Sequence, residues 1–196
     1  MTSRWREVAL AGHRADPATA REALSDPDPV TRELALGALL RLHALTDADL
    51  DAALVDPAPS VRRRAATIAA QRPGVSLLGA LHDTDDTVVE AAAWACGEHV
   101  EVGDEVLAAL VDLGVTAADA LVREACVAAL GAIGDRRGLP TILHGCSDKP
   151  AVRRRAVLAL APFDGDEVDA ALQAALGDRD WQVRQAAEDV VRASHD

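Results

Sequence analysis

The chain has few aromatic residues and no long apolar run. Aromatic residues make up 2% of its 196 residues, with no tyrosine, although 49% of the residues are hydrophobic. The apolar content is therefore mostly alanine, leucine and valine, which suits closely packed helices and argues against a β-sandwich or β-barrel. No apolar run reaches the roughly 18 residues that a membrane helix needs, so we predict no membrane span.

Cysteine is scarce and carries no disulfide pattern. The three cysteines are Cys96, Cys126 and Cys146, an odd number without framework spacing. The first residues, MTSRWREVALAGH, lack the apolar core and the small-residue cleavage site of a secretion signal. We therefore expect a cytoplasmic protein whose thiols stay reduced and pack as small apolar groups.

One helical segment recurs along the whole chain. Residues 122–135, VREACVAALGAIGD, place Val122, Ala125, Cys126 and Ala129 on one side of a helix, and glycine ends it. Related segments begin at six positions, with steps of 30, 27, 34, 30 and 31 residues: Thr31, Val61, Val88, Val122, Val152 and Val183. A period near 30 with one similar helix per unit is typical of a helical solenoid.

The pattern resembles the HEAT repeat, in particular its short phycobilisome-lyase type, over about residues 16–193. The segment from Val122 to Gly131 carries most of the motif. The resemblance implies an all-α, right-handed α-solenoid of about six helical hairpins in a single domain, 1–196. We expect an N-terminal capping helix at 3–12, followed by hairpins at 16–42, 46–71, 74–98, 103–132, 137–161 and 164–193. In the fourth hairpin, Thr116 is predicted to cap a helix that runs on to Ala132.

Two columns of opposite charge follow the repeats. The second template position carries Arg32, Arg62, Arg123, Arg153 and Arg184, whereas Val89 interrupts the column. Five residues before the template start lie Asp26, Asp56, Asp83 and Asp178. We interpret the columns as a structural ladder in which each arginine meets the turn aspartate of its own or of the next repeat.

The exposed side of the inner helices is the predicted binding surface. Trp94 lies away from the buried side of its helix, and short residues occupy its position in neighbouring repeats, as at Thr67 and Ala128. We predict either a binding anchor or an indole that seals the gap between repeats. The predicted binding residues are Arg63, Glu90, Trp94, Glu124, Arg154, Leu158 and Gln185. Trp5 and Trp181, at helix starts, are predicted to pack against turns.

Nucleic-acid, metal and catalytic roles have little support. A net charge of −12 opposes binding to a duplex unless the two arginine triplets, 62–64 and 153–155, converge. Deoxyhypusine hydroxylases, which use this repeat, bind iron through His-Glu pairs, but the matching dipeptides here are Val89-Glu90 and Arg123-Glu124. Cys96 with His99 supplies too few ligands for zinc. We expect no metal, no cofactor and no enzyme activity.

Two functions remain from the sequence. The first is a non-catalytic scaffold that binds a protein or peptide on the inner-helix face. The second, implied only by the repeat type, is a lyase or chaperone for a tetrapyrrole-bearing protein. The sequence leaves the oligomeric state and the partner open.

Overall fold

The computed structural model describes residues 4–14, 16–99 and 101–193. Within these ranges the chain forms thirteen α-helices and two short 3-10 turns, and no strand occurs. The helices are α1 Arg4–Arg14, α2 Pro17–Glu22, α3 Pro29–Arg41, α4 Asp47–Leu54, α5 Pro59–Ala69, α6 Leu78–Leu81, α7 Asp86–Gly97, α8 Asp104–Thr116, α9 Ala120–Ile133, α10 Leu139–Gly145, α11 Pro150–Ala159, α12 Asp166–Leu176 and α13 Trp181–Ala193.

The helices pair into six hairpins that stack in one row. The odd-numbered helices from α3 to α13 form an inner layer, and the even-numbered helices from α2 to α12 form an outer layer. The extensive contacts join helices of the same hairpin or of neighbouring hairpins. Helix α1 packs on α2 and α3. It lies beside α3, in the place that the inner helix of a preceding hairpin would occupy. This arrangement confirms the predicted α-solenoid, since a closed bundle would bring distant hairpins together.

Small residues set the spacing between the inner helices. A Cβ atom added at Gly97 of α7 would lie 2.9 Å from the Cα atom of Ala129 in α9. A Cβ atom added at Gly131 of α9 would lie 2.5 Å from that of Ala159 in α11. The backbones of neighbouring inner helices therefore approach closely at these points, and only the absence of side-chain atoms permits it.

The fourth hairpin departs from the prediction. Thr116 is the last residue of α8, and its hydroxyl donates a hydrogen bond back to the Asp112 carbonyl at 3.0 Å. Helix α9 begins at Ala120 instead, and the Asp119 carboxylate caps it by accepting from the N–H of Leu121 at 2.7 Å. The prediction that Thr116 caps this helix is wrong, because its hydroxyl is already used in the preceding turn.

The columns of charge lie where the hairpins meet. Arg32 donates from Nε and Nη2 to the two carboxylate oxygens of Asp56, in the next turn, at 2.7 and 2.6 Å. Its Nη1 donates to the carbonyl of Asp26, in its own turn, at 2.8 Å. The same fork joins Arg62 to Asp83, Arg123 to Asp148 and Arg153 to Asp178. Each arginine thus ties its own turn to the following one, and we call these pairs the arginine ladder.

The first step of the ladder and its last arginine differ from the regular pattern. Arg4 of the capping helix pairs with Asp26 at 2.7 Å, so α1 joins the ladder although it contains no copy of the template. Arg184, in the last inner helix, donates to the carbonyl of Asp178 at 2.8 Å. Arg4 therefore extends the ladder to the capping helix.

One step of the ladder is replaced by apolar residues on both sides. An arginine at position 89 would face the turn of the fourth hairpin, where the aspartate position holds Ala117. Val89 is buried and Ala117 packs against the same apolar core. Both halves of this ion pair are therefore missing together, which avoids burying one unpaired charge.

Candidate functional site

The central part of the inner layer contains an open depression. It has a volume of about 540 Å³ and lies across α5, α7, α9 and α11. Trp94 of α7 stands in it with 46% of its surface exposed, between Thr67 on one side and Ala128 on the other. The indole is therefore accessible to solvent, and the short neighbours leave space around it.

The floor of this depression is apolar and shallow. Ala91 lies beside Trp94 on α7, and Ala125 and Ala128 line the same depression from α9. Leu121, one turn before Ala125, is 55% exposed at its edge. Because alanine projects only a methyl group, the indole is the largest apolar surface that a partner would meet here.

Charged residues are arranged in order across the depression. The two central helices carry carboxylates, Glu90 on α7 and Glu124 on α9, whereas the flanking helices carry arginines, Arg63 on α5 and Arg155 on α11. Arg155 Nε lies 3.7 Å from Glu124 Oε1, a longer contact than any in the ladder. The depression therefore presents negative charge near Trp94 and positive charge at its two edges.

A second depression lies toward the last hairpin. Its volume is about 350 Å³, and Arg154 and Leu158 of α11 face Trp181, Gln185 and Asp189 of α13 across it. A third depression of about 420 Å³ joins the two. It shares Ala128 and Arg155 with the first and Leu158 with the second. We call these three adjoining depressions together, from Arg63 to Asp189, the inner furrow.

The predicted binding residues fall into two groups along this furrow. Arg63, Glu90, Trp94 and Glu124 come together in the central depression, and Arg154, Leu158 and Gln185 line the one near the last hairpin. The middle depression lies between the two groups and includes Leu158 of the second group.

Arg155 and Trp181 line the furrow with large side chains but were not among the predicted binding residues. Arg155 lines both the central and the middle depression, but the sequence shows a run of three arginines without indicating which one faces the neighbouring helix. Trp181 is 65% exposed and lines the second depression, so the prediction that it packs against a turn is wrong. It is the first residue of α13 and lies across the depression from Arg154 and Leu158 of α11. Trp5 is also exposed, at 44%, with the Arg6 guanidinium 5.6 Å from its ring centre.

The arginine ladder joins the turns before most of the inner helices that carry the furrow, with its missing step between α7 and α9, and its charges are stabilised in the folded state. The hydrogen bonds from Arg62, Arg123 and Arg153 lower the pKa values of Asp83, Asp148 and Asp178, against the opposing effect of burial. Pairing correspondingly raises the pKa values of these arginines. All four forked pairs stay ionised at neutral pH.

The chemistry available elsewhere in the described residues is limited. Burial raises the pKa values of Cys96 and Cys126 to about 12, which makes both thiols poor nucleophiles. No group of three or more histidine, cysteine, aspartate or glutamate side chains is arranged to hold a metal ion within the described ranges. Within residues 4–14, 16–99 and 101–193, no helix is long and apolar enough to cross a membrane.

Sequence comparison identifies the repeat. The family model for HEAT repeats matches residues 46–131 and again residues 107–192, which together cover most of the chain. No curated protein matches the chain.

Solved structures with a similar fold are distant in sequence. A designed armadillo repeat protein in complex with the peptide (KR)4 is 19% identical, with a TM-score of 0.67 over 90% of this chain and 98% of that one. Escherichia coli YibA is 18% identical, with a TM-score of 0.63 over 81% of this chain and 62% of that one. Human deoxyhypusine hydroxylase in complex with glycerol is 21% identical, with a TM-score of 0.51 over 98% of this chain and 80% of that one. At these identities the likeness shows the fold alone.

Proposed function

The chain belongs to the HEAT repeat family, and on that premise we propose that it is a non-catalytic scaffold that binds a protein or peptide in the inner furrow. The observation that carries this proposal is the exposed indole of Trp94 above a floor of alanine side chains. A large aromatic side chain left half in water contributes little to folding. Covered by a partner, the same indole supplies apolar area at a small cost in side-chain entropy.

The shape of the furrow favours an extended occupant. It crosses five inner helices, α5 to α13, which amounts to four helix-to-helix steps of roughly 8–10 Å each. An extended chain advances about 3.3–3.6 Å per residue, so a segment of about ten residues spans the furrow. A designed relative in fold was solved with a peptide, (KR)4, which is compatible with this mode of binding.

The side chains that line the furrow suit a binding role. Its charged residues are arginines and carboxylates, and no cysteine or histidine lines it. The fold of human deoxyhypusine hydroxylase is similar. However, the two dipeptides at the positions of its iron-binding His-Glu pairs, Val89-Glu90 and Arg123-Glu124, contain no histidine.

Selection from a random peptide library tests the proposal. Phage-displayed 12-residue peptides are selected on the immobilised protein, and the recovered peptides are titrated against Trp94→Ala by fluorescence anisotropy. Trp5→Ala is the matched control, because Trp5 is 44% exposed, close to the 46% of Trp94, but lies outside the furrow. We expect Trp94→Ala to weaken binding at least tenfold, about 1.4 kcal/mol, and Trp5→Ala to leave it unchanged. Peptides that bind both variants equally well would refute the proposed surface.

Exposing the same immobilised protein to its native cell extract tests the tetrapyrrole hypothesis. A lyase or chaperone for such a protein would retain a pigment-bearing partner from its native cell extract, and the purified complex would absorb visible light. A colourless complex with a protein or peptide partner agrees with the scaffold function. A coloured complex would support the lyase or chaperone function instead.

A further inference from the structure

We propose that the partner places a cationic side chain, of lysine or arginine, against Trp94 in the central depression. This inference rests on the proposed function and specifies the occupant of its main anchor. The charges around the indole favour a cation over an apolar or an acidic side chain.

Glu90 is the first reason. It lies one helical turn before Trp94 on α7, so both side chains project from the same face of the helix. In the described part of the chain, no arginine, lysine or histidine lies within ion-pairing distance of the Glu90 carboxylate. Glu90 is nevertheless partly buried, so an occupant that covers it has to replace the water that it loses.

Glu124 is the second reason. It lines the same depression from α9, and its contact to Arg155 is 3.7 Å, compared with 2.6–2.8 Å for the closest atoms of the forked pairs in the ladder. Arg155 is 45% exposed, so its guanidinium is free to move toward solvent. A cation over the indole would therefore have two carboxylates nearby, one unpaired and one only weakly held.

The indole itself is the third reason. The face of a tryptophan ring attracts a cation within about 6 Å of its centre, and tryptophan does so more strongly than other aromatic residues. An apolar side chain in the same place would gain contact with Trp94 but leave Glu90 dehydrated. An acidic side chain would meet both carboxylates. The arginines that an acidic residue could use, Arg63 and Arg155, stand on the flanking helices.

The occupant that fits is therefore a segment with a basic residue in the centre and acidic residues on either side. The net charge of −12 also draws basic segments toward the protein at low ionic strength.

The test uses the peptides recovered in the selection described above. In each peptide that requires Trp94, every basic residue is replaced in turn by its neutral counterpart, citrulline for arginine or acetyl-lysine for lysine. We expect one replacement to weaken binding to the wild-type protein about tenfold. The same replacement should have a clearly smaller effect on binding to Glu90→Gln, because that variant has already lost one of the two carboxylates near the indole.

A charge-matched variant provides the control. Glu188→Gln removes one exposed carboxylate from α13, outside the furrow, and should leave the affinity and the effect of the neutral replacement unchanged. Glu90→Gln alone should weaken binding about five- to tenfold and reduce its salt dependence.

The outcomes separate the two proposals. Peptides that require Trp94 but tolerate every neutral replacement would overturn the cationic occupant and leave the scaffold function intact. If no selected peptide requires Trp94, the proposed surface is wrong and the cationic occupant falls with it. Coupling between the neutral replacement and Glu90→Gln supports both.

Discussion

Replacing Arg62 by alanine removes one step of the arginine ladder and leaves the Asp83 carboxylate without its guanidinium. The wild-type pair is held by two hydrogen bonds of 2.6 and 2.7 Å, and its side chains are only 13% and 8% exposed. The Nη1 group also donates to the carbonyl of Asp56 at 2.8 Å. The substitution therefore disrupts contacts with two consecutive turns at once.

The expected loss lies between two known limits. Exposed ion pairs contribute about 0.2–1 kcal/mol, whereas removing one partner of a fully buried pair costs about 3–5 kcal/mol. Because both side chains are mostly buried but lie in turns near the surface, we expect Arg62→Ala to lower the free energy of unfolding by about 3 kcal/mol. Urea unfolding followed by circular dichroism measures this change in the free energy of unfolding. Urea is used instead of guanidinium chloride because the guanidinium ion would itself screen the ion pair.

The neighbouring residue and the natural gap in the ladder provide the controls. Arg63→Ala removes an exposed arginine one residue away and should change stability by no more than about 0.5 kcal/mol. The double variant Arg62→Val, Asp83→Ala copies the apolar pair Val89 and Ala117. It should be more stable than Arg62→Ala alone, with a coupling energy of about 2 kcal/mol. If Arg62→Ala cost no more than Arg63→Ala, the ladder would not hold the hairpins together.

Three further predictions follow from packing and ionisation. The ladder aspartates have lower pKa values in the folded protein than in the unfolded chain. Their contribution to the free energy of unfolding should therefore be complete above the unfolded pKa of about 3.9 and be lost as the pH falls below it. Urea titrations at a series of pH values would show this loss. Constant stability across that range would contradict the pairing. Gly131→Ala should destabilise the protein by about 2 kcal/mol, because the new Cβ would lie 2.5 Å from that of Ala159. Gly79→Ala, which meets no atom within 4 Å, should be neutral or stabilising by up to about 1 kcal/mol; equal melting temperatures for the two variants would argue against close helix packing. Cys96 and Cys126 should react with a thiol reagent only after unfolding, and fast reaction in the folded protein would show that they are not buried.

Much of the fold is predictable from the sequence because each hairpin buries the same template positions. The hairpin expected at 74–98 ends with α7, Asp86–Gly97, and the one expected at 164–193 consists of α12, Asp166–Leu176, and α13, Trp181–Ala193. Alanine, valine and arginine recur at fixed offsets there, since they serve the same contacts in every repeat. The wrong prediction for Thr116 falls in the fourth repeat, where the step between template copies is longest and Ala117 occupies the position of the turn aspartate. Without that aspartate to mark the turn, Thr116 was a plausible capping residue in the sequence.

The partners in the ladder required coordinates. A fixed offset of five residues led to Ser147, whereas Asp148 supplies the carboxylate because this turn is one residue shorter. Arg4 was not predicted, since the capping helix carries no copy of the template. Whether an arginine contacts its own turn or the next one depends on how the hairpins stack. In the structure the arginine donates to a backbone carbonyl of its own turn and to the aspartate carboxylate of the next turn.

The surface was predictable only in part for a related reason. Successive residues on a helix point about 100° apart, so the rotation of α11 decides whether Arg154 or Arg155 faces the central depression. The sequence supplies the arginines but not that rotation. Trp94 was identifiable because its position in the neighbouring repeats holds the short residues Thr67 and Ala128, whereas Trp181 precedes the template start and has no such comparison.

The most direct test of partner binding in the inner furrow is fluorine NMR of the protein labelled with 5-fluorotryptophan. The three tryptophans report on the capping helix, the central depression and the last hairpin, and single substitutions assign their signals. On addition of a selected peptide, we predict that the Trp94 signal shifts and broadens while the Trp5 signal stays in place. A peptide that binds without moving the Trp94 signal would contradict this account.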